Sequence, residues 1–264
     1  MESLYVGLSW VWVAAMGLAV GSFLTVVIYR VPRGESIVSP RSRCVRCGAS
    51  IRARDNIPVL SWLVLGGRCR SCDGRISARY PLIEAGTCAL WLLAWGRYGE
   101  DRYKAVVLAL FFSVLLAVSV VDLERRIIPN SIVYPAVPVF AALLLAGALG
   151  AGTGYSVSGA VIGFLAYGGG LVLVSVLYPR GMGMGDGKLA ALVGLVLGAL
   201  GAGLVAVAAI LAFFLGGLGG IAAVALRKAD RKQAVPFGPF IAAGAVCSAL
   251  VGAQIAKWYL GLMG

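Results

Sequence analysis

Long apolar runs divided by short polar ones organise this chain. Stretches of the length a helical span needs, roughly 17 to 25 residues, occupy 4–29, 80–98, 104–121, 128–149, 156–178, 188–201, 203–225 and 237–262. They predict an all-α, polytopic membrane protein with about eight transmembrane helices. Between Lys188 and Ala225 only small-residue positions near Gly198, Gly201 and Gly203 divide the apolar run, so two spans and one long kinked segment both satisfy the pattern. The first run, from Met1 to about Ile28, is followed by Arg30 and Arg33. A cleavable signal has its positive charge first, so this order predicts a retained span.

Composition sharpens the picture. Of 264 residues 60% are hydrophobic and 13% charged, and the mean hydropathy is +0.92; a water-soluble domain sits near half apolar and a quarter charged, so most of the chain is expected in lipid. The 37 glycines suit close approach of membrane helices. A net charge of +12 would suggest nucleic acid in a soluble protein, but in a membrane protein the position of each cation matters more than the sum, and no nucleic-acid partner is expected. Of the 23 Lys and Arg, 19 fall in 30–79, 122–127, 179–188 and 226–235, segments that alternate spans put on one face. The positive-inside rule makes that face cytosolic and leaves both termini on the other.

The predicted organisation is a first span at 1–29, a cytosolic loop at 30–79 and a membrane-embedded region at 80–264. No internal repeat stands out. The loop is too short for a confident hydrophobic core and needs a staple. Cys44, Cys47, Cys69 and Cys72 form two C-x-x-C pairs separated by 21 residues. Each pair makes a tight turn that aims two sulfurs at one centre, and together they complete the tetrahedral thiolate shell of a structural zinc site. An iron–sulfur cluster satisfies the same count. Two disulfides or four free thiols are the other possibilities, the disulfides disfavoured on a cytosolic face. Cys88 and Cys247 lie in apolar runs and are expected to pack as small hydrophobes.

The chain has no His, so acid–base work falls to carboxylates, Lys, Tyr or Cys. Three carboxylates sit at the edges of spans: Glu84 early in the second, Asp122 at the end of the third and Asp186 at the start of the sixth. Acids at a bilayer are costly and are functional candidates by default. Each alone could equally be half of an ion pair, Asp122 with Arg125 or Arg126 and Asp186 with Lys188. The topology nevertheless places Asp122 and Asp186 at similar depth on the cytosolic side. Two carboxyls meeting in a low dielectric cannot both ionise easily, which is the acid–base couple of an aspartic protease. Around the second acid the chain reads Gly181-Met182-Gly183-Met184-Gly185-Asp186-Gly187-Lys188. These glycines are expected to allow positive dihedrals, close approach of a substrate strand and a break in the helix.

Taken together the motifs resemble those of the bacterial type IV prepilin peptidases, also called leader peptidase/N-methyltransferases. The likeness runs through Gly21-Ser22-Phe23-Leu24, Val26 to Arg30, the two C-x-x-C pairs, Asn56 to Trp62, Arg79 to Glu84, Asp122 with Ile128-Pro129, Gly183 to Asp186 with Lys188, and Pro236-Phe237-Gly238-Pro239. It implies a Gly-x-Gly-Asp aspartic protease of the bacterial inner membrane with Asp122 and Asp186 catalytic. Gly183, Gly185 and Lys188 would support the catalytic loop. The substrates implied are prepilins or pseudopilins with a basic leader, cut on the cytosolic side. The resemblance also implies methylation of the new N-terminus with S-adenosylmethionine as donor, and it makes Glu84 a candidate for that step. Thr25 stands where the family commonly has Asn, nearer the methyltransferase region than the peptidase one. Two other classes answer some of the same features: a proton-coupled transporter using the two acids, and a non-enzymatic membrane scaffold built on the zinc loop.

Overall fold

Each of the predicted apolar runs winds into a helix, and among the described residues none outside the polar loop departs far from helical or short connecting backbone. The computed structural model describes residues 2–150, 152–178, 182–226 and 236–263. Of the predicted loops, residues 179–181 of 179–188 and residues 227–235 of 226–235 fall outside the described residues. The helices are α1 (Glu2–Arg30), the short α2 (Leu60–Val64), α3 (Arg79–Tyr98), α4 (Arg102–Arg125) and α5 (Asn130–Leu149). They continue with α6 (Val157–Gly163), a π-helical turn (Phe164–Gly169), α7 (Gly170–Leu177), α8 (Met184–Leu200), α9 (Ala202–Ala225) and α10 (Gly238–Met263).

Among the described residues six stretches are long and apolar enough to cross a bilayer: Tyr5–Arg33, Arg102–Arg125, Asn130–Leu149, Val157–Leu177, Ala202–Ala225 and Gly238–Trp258. The runs at 80–98 and 188–201 also form helices, α3 and α8, but neither qualifies on its own. Helix α3 carries Glu84, Thr87 and Arg97 among its apolar residues, and α8 is only 17 residues long. The run from Lys188 to Ala225 is two helices. Gly201, at φ 154° and ψ 136°, breaks them, a backbone that only glycine adopts without strain.

The chain divides into two compact units, Met1–Ala117 and Val118–Gly264. In the first, α1 lies along α3 through small residues. A Cβ added to Gly17 would come within 2.8 Å of the Cys88 backbone, and one at Gly21 within 2.7 Å of the Glu84 Cα, so the two backbones touch as small-xxx-small pairs allow. Trp91 of α3 donates its indole N–H to Ser113 Oγ at 2.9 Å, which satisfies a polar atom in an otherwise apolar core.

In the second unit α8 is the central helix. Nearly its whole length from Leu189 to Ala199 is buried, packed by α5, α6, the π turn, α7, α9 and α10. A helix wrapped by protein does not have to meet lipid along its length, which is why a short one suffices here. Gly159 and Gly163 face Gly198 and Gly194 directly. A Cβ on Gly194 would lie 2.1 Å from the Gly163 carbonyl oxygen. This contact clamps α8 to α6, and with it the helix start that carries Asp186.

Candidate functional site

Asp122 lies one turn before the end of α4. Arg126 closes that helix with φ 55° and returns its N–H to the Asp122 carbonyl, after which Ile127, Ile128 and Pro129 run extended into α5. Asp186 sits in the first turn of α8. That helix begins at Met184, so Gly185 and Gly187 are helical, and neither they nor Gly183 has positive φ. The expected role of these glycines in positive dihedrals is therefore corrected to one of space. A Cβ on Gly185 would meet Ile128 at 3.0 Å, and one on Gly187 would meet the Val172 side chain at 2.6 Å.

Asp122 and Asp186 are 4% and 8% exposed and line one cleft of about 310 Å³ with Arg126, Ile128, Asn130, Gly183, Gly185 and Lys188. Each acid is held by a backbone donor. The Gly238 N–H donates to Asp122 Oδ2 at 3.0 Å, and the Gly183 N–H donates to Asp186 Oδ2 at 3.1 Å. The Gly183 carbonyl in turn accepts from the Asp186 N–H at 3.1 Å and from Ser175 Oγ at 3.2 Å. Among the described residues neither carboxylate forms an ion pair. Lys188 turns to α5 instead, donating to Asn130 Oδ1 at 3.0 Å and lying 4.9 Å from the centre of the Tyr134 ring.

Gly238, Asn130 and Ser175 are parts of the site that the sequence reading named without a role or passed over. Pro236-Phe237-Gly238-Pro239 marks a turn, but nothing in it says that the Gly238 amide will meet an acid 116 residues earlier. A Cβ on Gly238 would fall 2.7 Å from Asp122 Oδ2. Gly238→Ala is therefore expected to push the carboxylate off its amide and lower activity at the cleft by roughly tenfold or more. Thermal unfolding in detergent should move little, and a turnover equal to wild type would dismiss the constraint.

The four cysteine sulfurs of the loop all lie within 4.8 Å of one another, and Cys44 Sγ is 3.9 Å from Cys72 Sγ. A tetrahedral zinc site with bonds near 2.3 Å needs sulfurs about 3.8 Å apart, so the set fits a thiolate metal. The two halves repeat one another, a feature the sequence reading missed. In the first turn Cys44 N–H bonds the Ala49 carbonyl and Gly48 N–H the Cys44 carbonyl; in the second Cys69 N–H bonds the Gly74 carbonyl and Asp73 N–H the Cys69 carbonyl. Arg43 bridges Ser50 as Arg68 bridges Arg75, and Gly48 and Asp73 hold matching positive φ. The signal was present as Arg-Cys-x-x-Cys at 43–47 and 68–72, too short to register as a repeat.

Backbone N–H groups of Cys47 and Arg46 pull the Cys44 thiol down to about 6 from its ordinary 9.0. The Gly74 N–H favours the thiolate at Cys72, but neighbouring Cys47, Cys69 and Cys44, with some burial, together push that thiol up to about 11. Four thiolates so close repel, and a bound cation resolves that repulsion. Arg70 joins the second turn to the rest of the loop through a two-pronged contact with Asp55, at 2.7 Å from Nη2 and 3.0 Å from Nε, and its guanidinium holds the Asp55 carboxyl below the usual range.

Glu84 is buried on α3 against α1. Its Oε2 accepts the Val59 N–H at 2.7 Å.

A family model described as Bacterial Peptidase A24 N-terminal domain matches residues 15–98, and one described as Type IV leader peptidase family matches 109–221. Proteins named prepilin leader peptidase/N-methyltransferase are similar over nearly the full length. The one from Bacillus subtilis is 36% identical across 92% of this chain and 95% of its own. Those from Pseudomonas putida and Pseudomonas aeruginosa are 35% and 33% identical, across 94% of this chain in each case and 93% and 92% of their own. No solved structure gives a significant match.

Proposed function

The chain belongs to the type IV leader peptidase family, and we propose that it removes the basic leader of type IV prepilins or pseudopilins and methylates the new N-terminal amine. The observation that carries this reading is the pair of buried carboxylates, Asp122 and Asp186, lining one cleft with each fixed by a glycine N–H. Two acids so placed can share a proton. One takes a proton from the attacking water while the other protonates the peptide carbonyl oxygen; as the tetrahedral intermediate collapses the first passes its proton to the leaving amine and the second takes one back from a hydroxyl of the intermediate. Gly238 and Gly183 orient them, Gly185 lets Ile128 close the cleft wall, and Lys188 ties α8 to α5 through Asn130.

The peptidase region is assigned to 80–264, and the loop at 30–79 with its flanking helices to methyl transfer. Cys44, Cys47, Cys69 and Cys72 would hold a structural zinc ion, whose closed shell leaves no position for substrate. S-adenosylmethionine would supply the methyl group. Glu84 already bonds the loop backbone and lies against Gly21 of α1, so its part in methyl transfer is to seat the loop on α1 and α3. The protein is placed in the bacterial inner membrane as a multi-pass protein, with the loop cytosolic and the termini opposite, a reading supported by the six apolar stretches and the charge bias. The matched relatives are named for peptidase and methyltransferase activity, which leaves the transporter and scaffold readings without support.

The test is direct. Purified protein in detergent, given a prepilin peptide with a basic leader and S-adenosylmethionine, should yield free leader and a mature product heavier by one methyl group by mass spectrometry. Absence of leader release would remove the peptidase reading; release without added mass would restrict the protein to proteolysis.

A further inference from the structure

Segment 57–64 of the cysteine loop, Ile-Pro-Val-Leu-Ser-Trp-Leu-Val, does not stay at the ends of the helices that tether it. The Val59 N–H reaches Glu84 Oε2 at 2.7 Å. Glu84 lies five residues inside α3, which begins at Arg79, and its Cα is what a Cβ on Gly21 would strike, nine residues before the end of α1 at Arg30. At about 1.5 Å per residue, Glu84 is about 7 Å inside the start of α3 and Gly21 about 13 Å inside the end of α1. Helix α1 belongs to a stretch apolar enough to cross a bilayer. The loop therefore comes within one glutamate side chain of a level well inside both helices rather than at their ends.

Backbone at that depth must have its polar groups satisfied, and here they are. Beyond the Val59 amide, the Ile57 N–H donates to Ser61 Oγ at 2.9 Å, the Ser61 N–H to the Ile57 carbonyl at 3.0 Å, and the Trp62 indole to the Ile76 carbonyl at 3.1 Å. Val59 holds φ 61° to make the turn, a conformation a β-branched residue keeps only where its surroundings impose it. The side chains facing outward are apolar: Ile57, Leu60, Leu63 and Val64 are 49%, 60%, 60% and 81% exposed. Exposed Arg52, Arg54, Arg68 and Arg75 flank them on both sides. An apolar face with an arginine margin, tethered between α1 and α3, complements the acyl and anionic headgroup layers of one leaflet.

We propose that segment 57–64 is inserted into the bilayer interface, with the outer face of α2 against lipid acyl chains and the flanking arginines among anionic headgroups. Glu84 is the buried anchor that sets the depth. The interaction is independent of the catalytic assignment, and its test does not depend on activity.

Full-length protein carrying dansylalanine in place of Val64, or in place of Val45 on the first cysteine turn (75% exposed), is reconstituted in vesicles of phosphatidylethanolamine and phosphatidylglycerol with brominated acyl chains. Quenching at position 64 should exceed that at 45 several-fold. Equal, weak quenching at both would overturn the proposal, and so would a signal at 64 that changes with protein density, which would assign the face to a second copy. Metal content near one ion per chain certifies each labelled loop; if the label at 64 fails that check, the same comparison is made with position 63 against 45.

Discussion

Asp122→Asn and Asp186→Asn are each expected to lower leader cleavage by about 10²–10⁴-fold, the range that a positioned acid or base contributes. The substitution is chosen because the amide oxygen of Asn can still accept the N–H of Gly238 or Gly183, so the local fold is kept while proton transfer is lost. Removing either acid also removes the shared proton, so the double variant should be little worse than the singles. Cleavage of a prepilin peptide in detergent, followed by mass spectrometry, gives the measurement, and metal content serves as a control that the loop is intact. Turnover within a few-fold of wild type in either variant would dismiss the carboxylate pair as the catalytic centre.

The second large effect is expected at the loop. With little apolar core of its own, the loop depends on its metal for structure, and thiolate sites of this kind contribute on the order of 10 kcal/mol to folding in isolated zinc-binding peptides. Cys69→Ser, or a strong chelator, should reduce bound metal from about one ion per chain to none. The arginines at 46, 52, 54, 68, 70 and 75 should then become open to trypsin while the membrane helices stay protected. Acidification probes the same site. Metal binding requires the sulfurs as thiolates, so acid that protonates them is expected to release the metal and open the loop to trypsin, while raising the pH is not. A loop resistant to trypsin without metal would show that packing alone folds it.

How far these expectations could be read without coordinates varies from element to element. The helices at 4–29, 104–121 and 237–262 were legible because a span needs an unbroken apolar run and nothing else produces one. The four cysteines were legible because spacing within each C-x-x-C turn is a local property. The units meeting at Ala117, inside α4, were not, since a continuous apolar helix carries no mark of where its packing partners change. The glycines around Asp186 were located but misread: composition says that a position lacks a Cβ, and only the neighbours, Ile128 over Gly185 and Val172 over Gly187, say why.

By itself, then, the order of residues determined what depends on near neighbours: which stretches are apolar helices, where charge collects between them, and which thiols and acids are available for chemistry. Tertiary structure alone decided which distant groups meet. The Gly238 amide on Asp122, the Asn130 amide oxygen on Lys188 and the Glu84 carboxylate on the Val59 N–H are contacts across 116, 58 and 25 residues. The reason is physical: helical periodicity repeats within a few residues, whereas the depth and rotation of one helix against another are set by close packing such as Gly163 on Gly194, and no local pattern encodes that.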